Sequence, residues 1–226
     1  MSKIAILISG RGSNMTALLN AIKTKNLDCH VVCVIANKKS KGLEFAATHN
    51  VPTKLVERNK FNNKESHEIK LIDMLLSYQP DWILLAGYMA ILSPKFVEFF
   101  EGKIINIHPS LLPKFKGLNT HRRAIEAGEK KHGTTIHIVT NELDGGPIIA
   151  QSEINVLLND TSETLRNRVL KEEHILYPLI LEALIKKYLE IKSFKVIWHQ
   201  IPPTINLENK AIEVSIEPYL KIKNLV

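Results

Sequence analysis

Ile104-Ile105-Asn106-Ile107-His108-Pro109-Ser110 is an apolar strand-like segment that ends in two polar residues. Side chains alternate between the faces of a strand, so Asn106 and His108 are expected on the same side, about 6.6 Å apart along the chain. In open α/β sheets, ligands bind at the carboxyl ends of the strands. The segment therefore predicts a catalytic amide and imidazole at a strand end. The alternative is a strand end whose polar side chains only hydrogen-bond a neighbouring loop.

Strand-like and helix-like segments alternate through the first half of the chain. The predicted strands are residues 4–8, 31–36, 53–56, 82–86 and 104–108, and the predicted helices begin at Met15, Leu43, Lys64 and Pro94. In the helix over residues 64–78, the spacing predicts four inward side chains, Ile69, Ile72, Leu75 and Leu76. The alternation predicts an α/β fold with a doubly wound, mostly parallel sheet.

The pattern changes after Pro113. We expect a loop over residues 112–120, a short helix over 121–127 and two strands, 134–139 and 147–156, that form an antiparallel edge. A capping box at residues 160–163 predicts a helix carrying Leu165, Val169, Ile175, Leu176 and Leu179, which Pro178 should kink or break. Residues 194–203 are a candidate for one more strand. The chain is thus interpreted as a domain of residues 1–192 with a C-terminal extension, 193–226.

Composition limits the class of protein. With 226 residues, of which 45% are hydrophobic and 23% charged, the chain can bury one sizeable core. No apolar run is long enough to span a bilayer and strand-like sequence begins by Lys3, so we expect a cytoplasmic protein without a membrane partner. The formal charge of +7 suits anionic substrates. No aromatic residues are interleaved with the lysines, so nucleic acid is not the expected partner.

Cysteine and histidine spacing exclude two further kinds of site. Cys29 and Cys33 lie four residues apart in a predicted strand, about 13 Å of extension, which a disulfide cannot bridge. They are expected to be reduced core residues. The chain has nine histidines, but no His-x-x-x-His or Cys-x-x-Cys ligand spacing occurs. We therefore expect no metal site.

A glycine turn, Ser9-Gly10-Arg11-Gly12-Ser13-Asn14, follows the first predicted strand. A dinucleotide fingerprint would need a glycine where this chain has Met15, and a Walker loop would need Gly-Lys-Ser/Thr. What remains is a tight turn at a helix N-terminus, whose backbone N–H groups from Gly12 to Asn14 can bind one phosphate group. A turn needed only for close packing is an equally good interpretation.

A carboxylate completes the predicted catalytic group. Asp144 follows a predicted strand and precedes two glycines, so it could approach the His108 imidazole, orient it and favour its protonated form. An Asp in this position is otherwise simply a turn residue. Acyl transfer to an amine needs an oxyanion donor and a proton carrier, but no enzyme nucleophile. Asn106 and His108 can supply these two functions.

Taken together, several motifs resemble the phosphoribosylglycinamide formyltransferases, folate-dependent enzymes of purine synthesis, over residues 3–188. The motifs are Gly12-Ser13-Asn14, Leu85-Ala86-Gly87-Tyr88-Met89, Ile91-Leu92-Ser93, Asn106-Ile107-His108-Pro109-Ser110-Leu111-Leu112-Pro113 and Glu142-Leu143-Asp144-Gly145-Gly146-Pro147. The resemblance implies a Rossmann-like formyltransferase fold. It also implies 10-formyltetrahydrofolate as co-substrate, phosphoribosylglycinamide as acceptor and a monomer or homodimer.

The resemblance also implies roles for individual residues. The implied catalytic residues are Asn106, His108 and Asp144; the implied substrate contacts are Gly12, Ser13 and Asn14 for the phosphate and Glu173 for the ribose side; and the implied folate contacts are Lys64, Met89, Ala90, Ile91, Leu92 and Asn106. The family often has Arg where this chain has Lys64 and Ala90, so the glutamate tail of the folate is expected to be held differently here.

Four other functions are compatible with parts of this pattern. A methionyl-tRNA formyltransferase should carry a further C-terminal domain and a formyltetrahydrofolate deformylase an N-terminal regulatory domain, and the chain is too short for either. A sugar-amine formyltransferase is disfavoured by the Gly12-Ser13-Asn14 loop. A catalytically silent binding module of the same fold is disfavoured because Asn106, His108 and Asp144 are all present.

Overall fold

The computed structural model describes residues 1–192, 194–202, 212–215 and 219–224. The chain divides into two units, Met1–Asn106 and Ile107–Val226. The division falls within the strand Ile104–His108, so the predicted catalytic strand contributes residues to both units.

The first unit alternates strands and helices, as the sequence predicts. Its strands are β1 (Ser2–Ile8), β2 (Cys29–Ala36), β3 (Thr53–Leu55), β4 (Trp82–Leu85) and β5 (Ile104–His108), and its helices are α1 (Ser13–Thr24), α2 (Lys41–Thr48), α3 (Lys64–Tyr78) and α4 (Pro94–Phe99). Neighbouring strands pair in parallel in the order β5-β4-β1-β2-β3. The order reverses direction at β1, so the prediction of a doubly wound parallel sheet is confirmed.

Strand β1 is the centre of this sheet. Residues Ile4 to Ile8 are fully buried, because β1 has a strand on each side and apolar cover on both faces. In strand β2, Cys29 and Cys33 are buried free thiols, as predicted, and burial raises the pKa of Cys29 to about 11. Ser93 caps α4 through its hydroxyl, which accepts the Phe96 N–H, so the predicted N-cap is also confirmed.

The predicted inward face of α3 is partly wrong. Ile72 and Leu75 are buried, but Ile69 and Leu76 are each 46% exposed. Two polar residues, His67 and Glu68, take the inward positions because each has a partner there. The His67 ring lies 2.9 Å from the Val56 carbonyl, and Glu68 accepts the backbone N–H of Ser93 at 2.9 Å. Buried polar groups that are hydrogen-bonded in this way do not incur the full cost of desolvation.

The second unit mixes strand directions. Its elements are α5 (Thr120–Glu126), β6 (Lys131–Ile138), β7 (Ile148–Asn155), α6 (Ser162–Ile185), β8 (Leu189–Lys192), β9 (Lys195–Trp198), β10 (Ile212–Ser215) and β11 (Leu220–Asn224). Strands β6 and β7 are antiparallel, as predicted. On its other side, β7 pairs in parallel with β11, and β10 pairs antiparallel with β11.

The predicted strand over residues 194–203 corresponds to β9, which pairs with β8 in a separate two-stranded sheet. Pro203, the last residue of that prediction, lies outside the described residues. Strands β10 and β11 were not predicted, although each alternates apolar and polar residues, because four or five residues are a short window for that signal. Their pairing with β7 is a property of the tertiary structure.

Helix α6 has a capping box one residue later than the predicted one, formed by Thr161 and Thr164. The Thr161 hydroxyl accepts the Thr164 N–H at 3.1 Å, and the Thr164 hydroxyl accepts the Thr161 N–H in return. A break at Pro178 is wrong, since the helix continues to Ile185. An internal proline costs about 3 kcal/mol, and burial of two apolar side chains of the size of Leu179 and Ile180 offsets this. Ile175, predicted to face inward, is 55% exposed.

Candidate active site

His108, at the carboxyl end of β5, has an acceptor facing each ring nitrogen. Its Nδ1 lies 3.4 Å from Oδ2 of Asp144, and its Nε2 lies 3.0 Å from the carbonyl oxygen of Phe115. Both side chains are nearly buried, with 7% of His108 and 9% of Asp144 exposed. A carbonyl can only accept, so the contact with Phe115 requires a proton on Nε2. The structure therefore brings together the imidazole and carboxylate that the sequence singles out.

Backbone conformation and one backbone hydrogen bond position the loop that carries Asp144. Asp144 has φ +48°, and Oδ2 accepts the Gly117 N–H at 2.8 Å. A Cβ at Gly146 would collide with the Ile138 carbonyl oxygen, so a side chain cannot be accommodated there. The glycine after this loop lets the chain approach β6 closely enough to direct Asp144 towards His108. Asp144 is thus more than a turn residue.

His137 is a neighbour of Asp144 that the sequence did not single out. Its Nε2 lies 3.7 Å from Oδ1 of Asp144, and its Nδ1 donates to the Ile138 carbonyl at 3.0 Å. Burial lowers the pKa of His137 to about 4, against the opposing effects of the Ile138 carbonyl and Asp144. A neutral His137 leaves the charge of Asp144 available to His108. The available signal was a histidine two residues from Thr135 within a predicted strand, so that both side chains lie on one face.

Hydrogen bonds from β6 hold the end of β5. The Thr134 hydroxyl donates to the His108 carbonyl at 3.0 Å, and the Thr135 hydroxyl donates to the Ser110 carbonyl at 2.6 Å. Both threonines are fully buried. These bonds hold the backbone on either side of Pro109 in place. The backbone position from which the His108 side chain extends is therefore fixed.

Asn106 occupies the other polar position of the predicted catalytic strand. It is partly exposed and is paired in register with Leu85 of β4. A partly exposed amide can reach a small molecule, as an oxyanion donor must. The catalytic assignment of Asn106, like those of His108 and Asp144, stays a prediction.

The glycine turn after β1 has a packing reason of its own. Gly12 has φ +74°, and a Cβ there would lie 3.0 Å from the Met15 methyl and 3.2 Å from the Gly42 Cα. Helix α1 begins directly after it, at Ser13, so Ser13 and Asn14 occupy the first turn, where backbone N–H groups lack intrahelical acceptors. Close packing alone therefore requires the glycine. Phosphate binding by this turn stays a prediction.

The predicted folate and ribose contacts differ in exposure. Met89 is 70% and Ile91 is 64% exposed, while Ala90 and Leu92 are partly exposed. Large exposed apolar side chains are typical of a surface that a ligand covers. Glu173, on α6, is 7% exposed.

Lys64 already has a partner. At the first residue of α3, its Nζ lies 3.8 Å from Oε1 of Glu68, and the side chain is 46% exposed. If Lys64 also pairs with a folate carboxylate, Lys64→Ala should raise the KM for folate by less than about fivefold, which corresponds to at most ~1 kcal/mol. The rise should shrink as salt is added.

The measurement is the folate KM at low and high ionic strength. Lys70→Ala, an exposed lysine on the same helix, is the matched control. An unchanged KM at low salt would remove Lys64 from the folate contacts.

His121 and His132 form a second histidine pair in this unit. Their ring centroids are 5.3 Å apart in an edge-on arrangement. Burial lowers the pKa of each to about 4; the neighbouring His132, Arg166 and His108 act in the same direction on His121. His132 is only 1% exposed. Both rings are therefore neutral in the folded protein at physiological pH.

Burial of neutral His132 predicts a loss of stability in acid. In the unfolded chain a histidine has a pKa of about 6.5, whereas burial lowers the pKa of His132 in the folded protein to about 4. Below pH 6.5 the unfolded state thus binds more protons, and the free energy of unfolding falls as the pH falls. We expect His132 to contribute ~1–2 kcal/mol of the fall between pH 7.5 and pH 5.

Urea unfolding at these two pH values measures this contribution. His132→Asn, which keeps a donor near the Nδ1 position, should show a smaller fall than the wild type. His30→Asn, at an exposed position in β2, should not. Equal falls for wild type and His132→Asn would contradict the assignment.

Comparison with known proteins places this site in a family. The family described as formyl transferase matches residues 2–181. Phosphoribosylglycinamide formyltransferase of Escherichia coli K12 is 44% identical over 179 residues, 79% of this chain and 84% of that protein. The Haemophilus influenzae enzyme of the same name is 42% identical over 194 residues, 85% of this chain and 92% of that protein.

A solved structure agrees with these relatives. The phosphoribosylglycinamide formyltransferase of Coxiella burnetii, in complex with CHES, superposes with a TM-score of 0.83 at 40% identity and covers 88% of this chain and 93% of that one. The chain belongs to the formyl transferase family. Within that family, the relatives that it matches over most of their length are phosphoribosylglycinamide formyltransferases. The resemblance inferred from the motifs is confirmed.

Metal-binding clusters and membrane-spanning helices are both absent from the residues that the structure describes. Within residues 1–192, 194–202, 212–215 and 219–224, no three His, Cys, Asp or Glu side chains cluster so that they could hold a metal ion. In the same part of the chain, no helix combines the length and apolar composition needed to cross a bilayer.

Proposed function

We propose that this protein transfers the formyl group of 10-formyltetrahydrofolate to the amine of phosphoribosylglycinamide in purine biosynthesis. The observation that carries the proposal is the buried His108–Asp144 pair at the end of β5, in a chain 44% identical to an enzyme of that name. The protein would act on small molecules in the cytoplasm, as a monomer or homodimer, without nucleic acid or membrane.

The substrate amine is the nucleophile in this reaction. It attacks the formyl carbon of the folate, and the carbonyl oxygen becomes an oxyanion in a tetrahedral intermediate. The Asn106 amide donates to that oxygen, a contribution of about 2.7–4 kcal/mol for donors of this kind. Protonated His108, whose two N–H groups face Asp144 and the Phe115 carbonyl, supplies positive charge near the same oxygen. The proton that the attacking nitrogen loses is transferred to the folate nitrogen, and the oxyanion re-forms its C=O bond as the C–N bond to the folate breaks. The products are the formamide and tetrahydrofolate.

Asp144 stabilises the charged form of His108 while the oxyanion develops. Because the pair is almost fully buried, little water screens the interaction, and its effect is larger than that of a surface ion pair. Neutral His137, on the other side of Asp144, does not compete with His108 for its charge.

The remaining roles follow the family resemblance. The backbone of Gly12, Ser13 and Asn14 would bind the phosphate of the acceptor, aided by the positive end of the α1 dipole. Glu173 would contact the ribose side. On the folate, Met89, Ala90, Ile91 and Leu92 would line the pterin site, and Lys64 would pair with the glutamate tail.

One assay tests the activity. Purified protein is incubated with 10-formyltetrahydrofolate, with and without phosphoribosylglycinamide, and formation of the deformylated folate and of the formylated product is followed. We expect both products only when the amine is present. Folate consumption that is equally fast with water alone would identify a deformylase, and no consumption in either case would overturn the proposal.

A further inference from the structure

A chain of hydrogen bonds links the C-terminal segment to the loop that follows His108. The Tyr219 hydroxyl donates to the amide oxygen of Gln151 at 2.8 Å. The amide nitrogen of Gln151 donates to the Leu112 carbonyl at 2.8 Å and to the Thr135 hydroxyl at 2.9 Å. Gln151 is 2% exposed, so water cannot easily replace these partners.

The centre of this network is fully satisfied. The Thr135 hydroxyl accepts from Gln151 and from the Leu112 N–H at 3.0 Å, and it donates to the Ser110 carbonyl. This uses its one proton and both lone pairs. The Gln151 amide uses both of its N–H groups. The Leu112 carbonyl can only accept, so the amide nitrogen must face it, and this leaves the amide oxygen as the acceptor for the Tyr219 hydroxyl, which holds Gln151 from the other side.

The loop held by this network ends at the acceptor of His108. The Ser110 hydroxyl donates to the Lys114 carbonyl at 2.7 Å. The next carbonyl along the chain, that of Phe115, accepts Nε2–H of His108. Ser110, Leu112 and Lys114 are thus fixed at three points, and the position of the Phe115 carbonyl follows from them.

Tyr219 is itself held firmly by the strand that follows it. In the pairing of β11 with β7, Leu220 lies opposite Ala150 and Lys221 opposite Gln151. Leu220 is fully buried and Ile222 is 7% exposed. Tyr219 also lies beyond residues 2–181, which the family shares.

We propose that Tyr219 is a positioning residue for the catalytic histidine. Through Gln151 it holds the loop of residues 110–115 in the conformation in which the Phe115 carbonyl orients the His108 ring. The C-terminal segment that carries Tyr219 then contributes to catalysis by orienting His108. This inference rests on the proposed function for its kinetic test, but not for its spectroscopic one.

The kinetic test is Tyr219→Phe, which keeps the ring and removes only the hydroxyl. We expect kcat to fall about tenfold, because small displacements of a catalytic group cost up to a hundredfold, while the KM values of both substrates change less than about twofold. Tyr78→Phe, on α3 of the first unit, is the control and should leave kcat unchanged. An unchanged kcat for Tyr219→Phe, or an equal fall for both variants, would overturn the inference.

A double-variant cycle distinguishes an effect of Tyr219 that passes through Gln151 from a general loss of structural order. Gln151→Met removes the amide to which Tyr219 donates without burying a charge, and should lower kcat at least as much as Tyr219→Phe. Adding Tyr219→Phe to Gln151→Met should then change kcat less than about twofold, because the two residues act through one path. Multiplied losses would mean that Tyr219 does not act through Gln151, and the inference would be wrong.

A spectroscopic readout works without turnover. The ring Nε2–H signal of His108, assigned in ¹⁵N-labelled protein by its loss in His108→Ala, should exchange with solvent at least about threefold faster in Tyr219→Phe than in wild type or Tyr78→Phe. Equal exchange would overturn the inference even if kcat falls. If wild type does not use phosphoribosylglycinamide, the proposed function fails, and the exchange rates still decide the role of Tyr219.

Discussion

Asp144→Asn is expected to lower kcat by about a thousandfold, within the range that protein acid–base groups contribute, while both KM values stay within about threefold of wild type. The charge of Asp144 matters most as the oxyanion develops, so its loss affects the transition state and not the binding of substrates. This is the largest effect that we predict for a single substitution in this protein.

The hydrogen bonds around Asp144 explain why the fold should survive the change. An asparagine oxygen in the place of Oδ2 still accepts from Gly117 and can accept from His108. Its amide nitrogen in the place of Oδ1 faces Nε2 of His137, which is an acceptor because burial keeps that ring neutral. Each contact has a chemically suitable partner in the variant. Only the negative charge is removed.

Single-turnover rates for wild type, Asp144→Asn, His108→Ala and the double variant measure the coupling. The double variant should be less than about threefold slower than His108→Ala, since residues that act as one unit are strongly non-additive. Asp160→Asn, which removes the charge of another buried aspartate, paired with Arg168 at 2.6 Å, is the matched control and should leave the rate unchanged. Multiplied losses would show that Asp144 acts independently of His108.

Ser13→Asp should raise the KM for phosphoribosylglycinamide about a hundredfold and leave the KM for folate nearly unchanged. Ser13 is the first residue of α1, so a carboxylate there is favourable for the helix dipole and should not destabilise the fold. The same carboxylate would lie beside the proposed phosphate site. Two like charges about 4 Å apart near a protein surface repel by about 4 kcal/mol, which is enough for an effect of this size.

Steady-state kinetics on three variants test this prediction. Ser13→Asn has nearly the same size without the charge and should change either KM less than about threefold. Ser162→Asp makes the same change at the first residue of α6 and should have no effect. Equal rises in both KM values for Ser13→Asp would remove the turn from the phosphate site.

Gly12→Val is a less informative variant. Gly12 has φ +74° and lies against Met15 and Gly42, so a valine side chain there would destabilise the fold as well.

Much of the first unit could be predicted from local sequence. The fully apolar run from Ile4 to Ile8 defines the buried central strand, and the alternation of strands and helices defines the doubly wound sheet. The bounds of α3 agree with the prediction at both ends. In each case the signal comes from hydrophobic periodicity and capping residues within one element, which depend only on near neighbours in the chain.

The candidate site could be predicted only in part. The strand Ile104–His108 pointed to Asn106 and His108, and the glycines after Asp144 suggested a tight turn. Periodicity cannot identify which backbone groups a side chain meets. The Phe115 carbonyl, the Gly117 N–H and His137 around this pair therefore became visible only in the structure.

The sequence by itself determined the order of elements in the first unit, its parallel sheet and the polar residues at the end of β5, because these follow from local pattern. Only the tertiary structure decided that His67 and Glu68 face inward, that α6 continues through Pro178 and that β11 pairs with β7. The physical reason is the same for all three. Each local preference is worth a few kcal/mol at most, and a hydrogen-bond partner or buried surface supplied by distant parts of the chain outweighs it.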